Sequence, residues 1–579
     1  FAEEEVTLYD QAQDRFLNLY SPASEKGKRR MVITFGQKYD VMDYDIELSF
    51  EPKNSHLSAR AKISVAARLG PLDAVKFRFN PALEILRIYD EDKRELFFTQ
   101  DKISRSLYVY FLEPVEGEAV TAIEVYYRGI LEPPPQISDT LASFQRSDSF
   151  LPIPPQFDTY LFSQSAYWYP SPPSEDYFTA RLKVIIPPEY NVVSNGLQLK
   201  EGILNGMQRV TDIDKMGSAY AVFRTNTPVK YLTFLVGKLA LIKQSEGSLP
   251  LFSYVASDVR FPKRNLLEEA RRILDAYESW FGPFPFEVLR VVQRLWATGG
   301  GHSPASFIVL NDFPRASDGE KAFNLGYTGR SPVDLAEWKE YFLAHEIAHQ
   351  WWGQGVTWAR YRDQWLSEGL AQFASALYIR SKYGDGAFSN ILKRFSGWTE
   401  KKSKFGPITL GSRLSYLDFE AYQATIYNKS ALILNMLHDL LGPEAFFAGL
   451  RKFFKTHQYS AAATSDFRRT METVSGRNLD RFFSLWFDSH LLPEIRASHS
   501  VTKREKGFLL RIRVEQEGET FVFPLWVEWQ EKKGKDRRRE MLFIDRKDQE
   551  FEFLVQDKPA KVRINPDRAV PGKIILSRG

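Results

Sequence analysis

Residues 341–370 read YFLAHEIAHQWWGQGVTWARYRDQWLSEGL, and the rest of the chain is organised around them. His345 and His349 stand four apart, with Glu346 directly after the first. On a helix, residues four apart share a face, so both imidazoles can reach one cation, while Glu346 lies near that face but offset from the pair. Tyr341, Phe342, Leu343, Ala344, Ile347 and Ala348 surround the motif with apolar or small side chains, which predicts a buried helix. Buried imidazoles and a buried carboxylate need partners, and a metal ion supplies them. The bland alternative is a pair of core histidines satisfied by hydrogen bonds, but the chain has only eight histidines in 579 residues. Gly353 and Gly355 are expected to close this helix and open a short loop.

A second helix is predicted over 365–380, capped by Asp363. Glu368 sits in its first turns among Leu366, Leu370, Phe373 and Ala374. A lone Glu at such a place is more often solvated or a cap. Here eighteen residues separate it from His349, enough for a loop and an antiparallel return. Two His, one Glu and an open fourth position make a catalytic zinc arrangement, one ion per chain, rather than a structural one.

The segment HEIAHQWWG…WLSEG resembles the gluzincin aminopeptidases of the M1 family, which share His-Glu-x-x-His, eighteen residues, then Glu. The resemblance implies zinc ligands at His345, His349 and Glu368 and a general base at Glu346. Where the family usually has Asn before the last ligand, this chain has Ser367. The family's Tyr-Glu-Lys-Gly-like segment falls on Tyr427-Asn428-Lys429-Ser430, implying that Tyr427 stabilises the oxyanion, with Tyr422 matching a second tyrosine that lines the site. Without the resemblance, a Tyr in an apolar helix is more often core.

A length of 579 residues predicts two to four domains, and 44% apolar with 26% charged residues is ordinary for a globular protein. The net charge of +4 carries no long basic run; patches at 26–30 and 532–539 read as solvated turns, so no nucleic-acid role is expected. No stretch is long and apolar enough to span a bilayer. The absence of cysteine excludes disulfides and cysteine catalysis without deciding a compartment. The start at Phe1 rather than Met suggests a removed leader or a trimmed sequence. An exported bacterial protein, periplasmic or extracellular, is expected, with a cytoplasmic one left open, and a monomer or weak oligomer.

Residues 1–30 are polar with some helical character. From residue 43, alternating patterns such as YDIELSF, LSARAKISVAAR and VTAIEVYYRGI predict strands up to about residue 245, interrupted by a Pro-rich break at 131–135 and a looser region to about 173. Helical spacing takes over in RNLLEEARRILDAYESWFG, bracketed by Pro262 and Gly282. EVLRVVQRLW and SFIVLND are strands, and further helices are predicted at 387–398, 421–441, 444–455, 465–474 and 479–489. Five short strand patterns between 508 and 564 close the chain. The expected class is multidomain α+β: an N-terminal antiparallel β domain over 1–245, a catalytic domain over 246–492 and a small C-terminal β-sandwich over 493–579. By resemblance, the first is saddle-shaped and the second thermolysin-like.

One departure bears on specificity. The family grips a substrate's free amine with the Glu of a Gly-x-Met-Glu-Asn strand edging the cleft. Aligned on SFIVL, this chain offers Gly300-Gly301-His302-Ser303-Pro304, with Ser303 in the acidic slot and His302 beside it. The glycines still suit close approach of a substrate backbone. Gln164, ahead of the aromatic run Tyr167-Trp168-Tyr169, is the candidate for the family's amine-binding Gln; the run either lines a pocket or packs beneath one. Three readings follow: a zinc aminopeptidase acting on peptides or small proteins, a zinc peptidase with endopeptidase or modified-N-terminus specificity, and a non-catalytic scaffold. Glu346 and Tyr427 argue against the scaffold, which has no use for a base.

Overall fold

The computed structural model describes residues 6–10, 15–20, 39–68, 71–132, 158–173, 176–204, 217–245, 248–257, 266–295, 300–312, 332–333, 335, 337–338, 340–530 and 537–578. They form two compact units. The first takes in the described residues of Phe1–Leu131 and Tyr167–Lys183, the second those of Glu132–Ala166, Val184–Gly206 and Met216–Gly579.

The first unit is built from strands whose side chains alternate between core and solvent. Tyr39–Glu51 buries Tyr44, Ile46, Leu48 and Phe50 on one face, and it pairs antiparallel with His56–Ala67, which pairs on its other side with Val120–Ile130. A second sheet joins Leu72–Arg78, Ser106–Val115 and Phe97–Asp101. The Tyr44 hydroxyl donates to the Pro170 carbonyl at 2.8 Å, and its ring meets Tyr169 edge-on at 5.3 Å. Trp168 and Tyr169 are fully buried there, so this part of the aromatic run is packing. The described residues within 1–30 depart from the helical expectation: Val6–Asp10 and Arg15–Tyr20 pair antiparallel, as the β-forming residues in VTLYD and RFLNLY favour.

The second unit carries a three-stranded sheet in the order Thr159–Phe162, Phe234–Gly237, Asn191–Ser194, and a five-stranded one. The five strands run Leu239–Ser245, Leu251–Ala256, Leu289–Leu295, Phe307–Asp312 and, at the edge, Gly300–His302. The middle three are mutually parallel, and the edge strand is antiparallel to its neighbour. The helix Leu267–Phe281 buries Ala270, Ile273, Leu274, Tyr277 and Phe281 at helical spacing. Pro262, expected to open it, lies outside the described residues, as do the breaks at 133–157, residues 296–299 and the basic patch at 26–30. Of the second basic patch only 537–539 is described, and it opens the strand Arg537–Ile544 instead of a turn.

The helices after the motif fall close to their expected ranges, with one difference. The continuous helix expected at 421–441 is split into Phe419–Tyr422, a π-helical segment Gln423–Lys429, and Ser430–Leu441. Among its described residues the C-terminal part has seven strands instead of five. Asp548–Val555, Phe508–Glu517, Glu494–Lys503 and Lys573–Arg578 make one sheet; Arg537–Ile544, Phe523–Gln530 and Arg563–Ile564 make the other. The missed strand Glu494–Lys503 buries Ile495 and Ala497, a two-residue alternation masked by the polar residues around it. Inward faces of both sheets share a core, which makes this a β-sandwich in a multidomain α+β chain. No helix among the described residues is long and apolar enough to cross a membrane.

The sandwich and the preceding helices bury one continuous hydrophobic core. Trp486, on the helix Asp480–Phe487, donates its indole N–H to the Val522 carbonyl at 2.8 Å and packs on Phe521 at 5.0 Å. Trp526 likewise donates to Asp439 at 2.7 Å. Trp486→Ala should therefore cost about 3–5 kcal/mol in urea unfolding followed by far-UV circular dichroism, the usual toll for emptying a buried Trp site. A midpoint close to wild type would mean that the sandwich does not depend on this helix.

Candidate active site

The motif helix Tyr341–Ala348 is buried at every position, and His349 is its C-cap, with its N–H bonded back to the His345 carbonyl. Tyr277 donates to the Ala344 carbonyl at 2.9 Å and Tyr341 to the Gln372 carbonyl at 3.0 Å. These bonds tie the motif helix to Leu267–Phe281 on one side and to Trp365–Tyr383 on the other. The latter contains Glu368. Contrary to expectation, Asp363 does not cap its N-terminus; Asp363 Oδ1 instead accepts from the Thr464 N–H at 2.8 Å and hydroxyl at 2.7 Å. Asp363 thus serves the start of a later helix, Thr464–Ser475, which only the packing of the two helices could reveal.

Three donor atoms converge. His345 Nε2 lies 3.1 Å from His349 Nε2, and Glu368 Oε2 lies 3.5 Å from the first and 3.4 Å from the second. A tetrahedral zinc about 2.05 Å from each donor would set them about 3.3 Å apart, so the spacing fits one such ion. The chemistry fits too, because Glu368 Oε2 is buried without a hydrogen-bond partner among the described residues. His345, His349 and Glu368 form the one metal-competent cluster of three or more His, Cys, Asp or Glu among those residues. His349 Nδ1 lies 3.0 Å from the Trp352 carbonyl, an acceptor, so Nδ1 carries a proton and Nε2 is left to face the cluster. The Ser367 hydroxyl, the small residue beside the third ligand position, also donates to that carbonyl and sits 3.1 Å from His349 Nδ1. Gly353, with φ at +121°, makes room: a Cβ there would lie 2.7 Å from Ser367 Oγ.

Without a metal, these groups share their charge. Burial alone would lower the basicity of His349, but the Glu368 carboxylate outweighs it and holds the imidazole at about 9. Burial likewise pushes Glu368 up, while the facing histidines prevail and hold it at about 2. The two groups form an ion pair in the metal-free protein.

Glu346 stands outside that cluster. Its Oε2 accepts a hydrogen bond from the Ser303 hydroxyl, and its carboxyl rests on Gly301 so closely that a Cβ at that position would collide with Cδ and Oε1. Gly300, Gly301 and His302 are the edge strand, and Ser303 follows it. His302 Nε2 lies 2.7 Å from Ser163 Oγ, which lies 3.0 Å from Thr233 Oγ1, and the Tyr231 ring stacks near His302 at 6.4 Å. Gln164 is half-buried in the turn Gln164–Ala166; among the described residues the bond to the edge strand comes from its neighbour Ser163.

Tyr427 and Tyr422 are both buried, with rings edge-on at 5.7 Å. The π-helical segment explains why they meet. Five residues apart on an α-helix they would diverge by about 140°, whereas the wider turn brings them to one side. The Tyr427 ring lies parallel to His345 at 6.0 Å. Burial first and the Glu368 charge second push this phenol well above its usual value, so it remains a protonated donor.

Sequence reasoning did not find the roles of Ser303, Ser163 or Gln350. Gln350 is fully buried and clamps the turn after the edge strand: its Oε1 accepts from the Ser306 N–H at 2.8 Å, and its Nε2 donates to the Pro304 carbonyl at 3.0 Å. A Gln directly after His349 carries no local signal of this.

Residues 327–486 match the Peptidase family M1 domain. The chain is 25% identical over 342 residues to Tricorn protease-interacting factor F2 of Thermoplasma volcanium, 58% of this chain and 40% of that protein. It is 31% identical over 174 residues to glutamyl aminopeptidase of Bitis rhinoceros, 29% of this chain and 18% of that protein. The chain thus spans less than half the length of these curated relatives. Among solved structures, the M1 zinc metallopeptidase of Deinococcus radiodurans superposes with a TM-score of 0.60 at 21% identity, covering 79% of this chain and 95% of that one. Aminopeptidase A of Legionella pneumophila gives 0.69 at 16% identity, covering 95% of this chain and 61% of that one. At such identities the structural likeness is one of fold.

The ion pair sets a pH dependence. His349 is raised from 6.5 to about 9, so in the metal-free protein its contribution to stability is complete below 6.5 and lost as pH rises through 9. Glu368 is lowered from 4.5 to about 2, so its contribution is present above 4.5 and lost as pH falls through 2. A metal must displace the His349 proton. Zinc uptake at pH 7 should release about one proton, and apparent affinity should rise about tenfold per pH unit between about 6 and 8, measured by calorimetry in buffers of different ionisation enthalpy. Uptake independent of pH would contradict the ion pair.

Proposed function

We propose, from the match of residues 327–486 to the Peptidase family M1 domain, that the chain is a zinc-dependent peptidase of the aminopeptidase type. The observation that supports it most is the convergence of His345, His349 and Glu368 beside a separate carboxylate, Glu346. Peptides or small proteins are the proposed substrates. Segment 246–492 would hold the chemistry, flanked by 1–245 and 493–579.

His345, His349 and Glu368 would hold the ion, which supplies Lewis-acid polarisation of a peptide carbonyl and acidifies a water. Glu346, outside the ligand set, takes the proton of the attacking water and returns it to the leaving amine. Tyr427, kept protonated, donates its hydroxyl to the oxygen on which negative charge develops. Tyr422 buttresses Tyr427 edge-on. The substrate backbone would run along the edge strand Gly300–His302, whose glycines keep that edge low.

A second reading has its own support. The segment from Gly300 to Ser303 contains no carboxylate, so an incoming ammonium meets no anionic partner on that strand. That favours substrates with modified N-termini or internal bonds. A panel of peptides with free and acetylated N-termini, cleaved by the zinc-loaded protein and read by mass, separates the two. Stepwise loss from free termini supports the aminopeptidase. Cleavage of blocked or internal bonds supports the second reading, and silence with zinc bound supports a binding scaffold.

Glu346→Gln should keep zinc and lower kcat by about 10²–10⁴-fold, checked by metal analysis with steady-state kinetics. Turnover near wild type would remove Glu346 as the base. Tyr427→Phe should lower kcat by about 10²–10³-fold with KM little changed; an unaltered kcat would take the hydroxyl out of the mechanism.

A further inference from the structure

We propose that Ser303 is a positioning residue: its hydroxyl holds the Glu346 carboxylate in the single orientation in which it can act on an attacking water. This rests on the reading of the chain as a peptidase. The geometry that carries it is a clamp with two jaws. On one side Ser303 Oγ donates to Glu346 Oε2; on the other the bare Cα of Gly301 presses against the carboxyl. Ser303 is itself 7% exposed and Glu346 6%, so the bond forms where water competes poorly for either partner. With Oε2 held by the hydroxyl, Oε1 is the oxygen left to take the proton.

The clamp is rigid because the turn bearing Ser303 is fastened from two directions. The amide of Gln350, on the same chain segment as the metal cluster, bonds to both Ser306 N–H and the Pro304 carbonyl. From the other side Asn195 Nδ2 donates to the Ala305 carbonyl at 2.8 Å, and the Gly196 N–H donates to Ser306 Oγ at 2.7 Å. Ser306 adopts φ of +70°, a left-handed conformation that non-glycine residues keep only when their surroundings hold them there. Asn195 Oδ1 meanwhile accepts from the Thr233 N–H at 2.6 Å, so the brace continues into the neighbouring sheet. The hydroxyl therefore has a fixed address relative to the metal cluster, and Glu346 inherits it. A carboxylate free to rotate would spend much of its time off the reacting line, and small displacements of a reacting group are costly in rate.

The test compares wild type, Ser303→Ala and Ser303→Thr as zinc-loaded full chains, on a peptide that the wild type cleaves. Ser303→Ala should lower kcat about 10- to 100-fold, the usual size for a lost hydrogen bond to a charged group, with KM within about twofold and zinc content unchanged. Ser303→Thr, which keeps the hydroxyl, should recover most of kcat. A crystal structure of Ser303→Ala supplies a readout independent of activity: the Glu346 carboxyl should leave its wild-type position or occupy more than one. Wild-type kcat in Ser303→Ala, or an unmoved carboxyl, overturns the proposal. A raised KM with kcat kept overturns it in favour of substrate contact, and loss of zinc overturns it in favour of a structural role. If the wild type cleaves no peptide while holding zinc, the peptidase reading fails by itself, and the position of Glu346 in the crystal still decides whether Ser303 holds it.

Discussion

Three buried donor atoms, His345 Nε2, His349 Nε2 and Glu368 Oε2, stand 3.1–3.5 Å apart in the middle of the helical core. Lone pairs so close, away from water, are tolerable only with positive charge between or upon them. In the metal-free protein a proton on His349 serves, which is why that imidazole is held at about 9 and its carboxylate partner at about 2. A divalent cation does the same more fully. The surrounding architecture keeps these atoms in place: the Trp352 carbonyl and Ser367 fix the His349 ring, and flanking helices brace the short motif helix through Tyr277 and Tyr341.

The sheet edge provides a second constraint. Gly300–His302 forms three pairs with Phe307–Asp312 and brings a flat, side-chain-free surface against Glu346 at Gly301. The turn at 303–306, which follows the strand, is joined to the segment after the motif helix by the Gln350 amide. Ser303 occupies the position where a resemblance to the M1 family leads one to expect an acid. Its hydroxyl turns inward to Glu346, and this segment therefore presents no anion of its own.

The helix bearing the two tyrosines illustrates how local geometry can bring two side chains together. A regular helix would set Tyr422 and Tyr427 on diverging faces, leaving one in the core and one near Glu368. The π-helical segment Gln423–Lys429 alters the turn enough for both rings to meet. Behind it, Lys429 is fully buried and donates to the Ser489 carbonyl at 2.8 Å, while Gln372 bonds to Asn428, so the irregular turn is anchored by polar contacts on two sides.

Much of this was legible in the chain before any coordinate. The four-residue spacing of His345 and His349 and the apolar residues around them predict buried donor atoms on one helix face, because helical periodicity is a local property. Alternation in YDIELSF and its successors specifies strands for the same reason. What the residues could not disclose was who meets whom across the fold. Asp363 serves a helix a hundred positions later, Ser303 serves Glu346, and Ser163 reaches His302. The strand Glu494–Lys503 is completed by the chain's last strand, Lys573–Arg578. Each of these is a contact between residues far apart in sequence, where a Ser, Gln or Asp is chemically able to bond almost anything within reach. Only tertiary packing limits that reach to one partner, and so only the folded chain assigns the role.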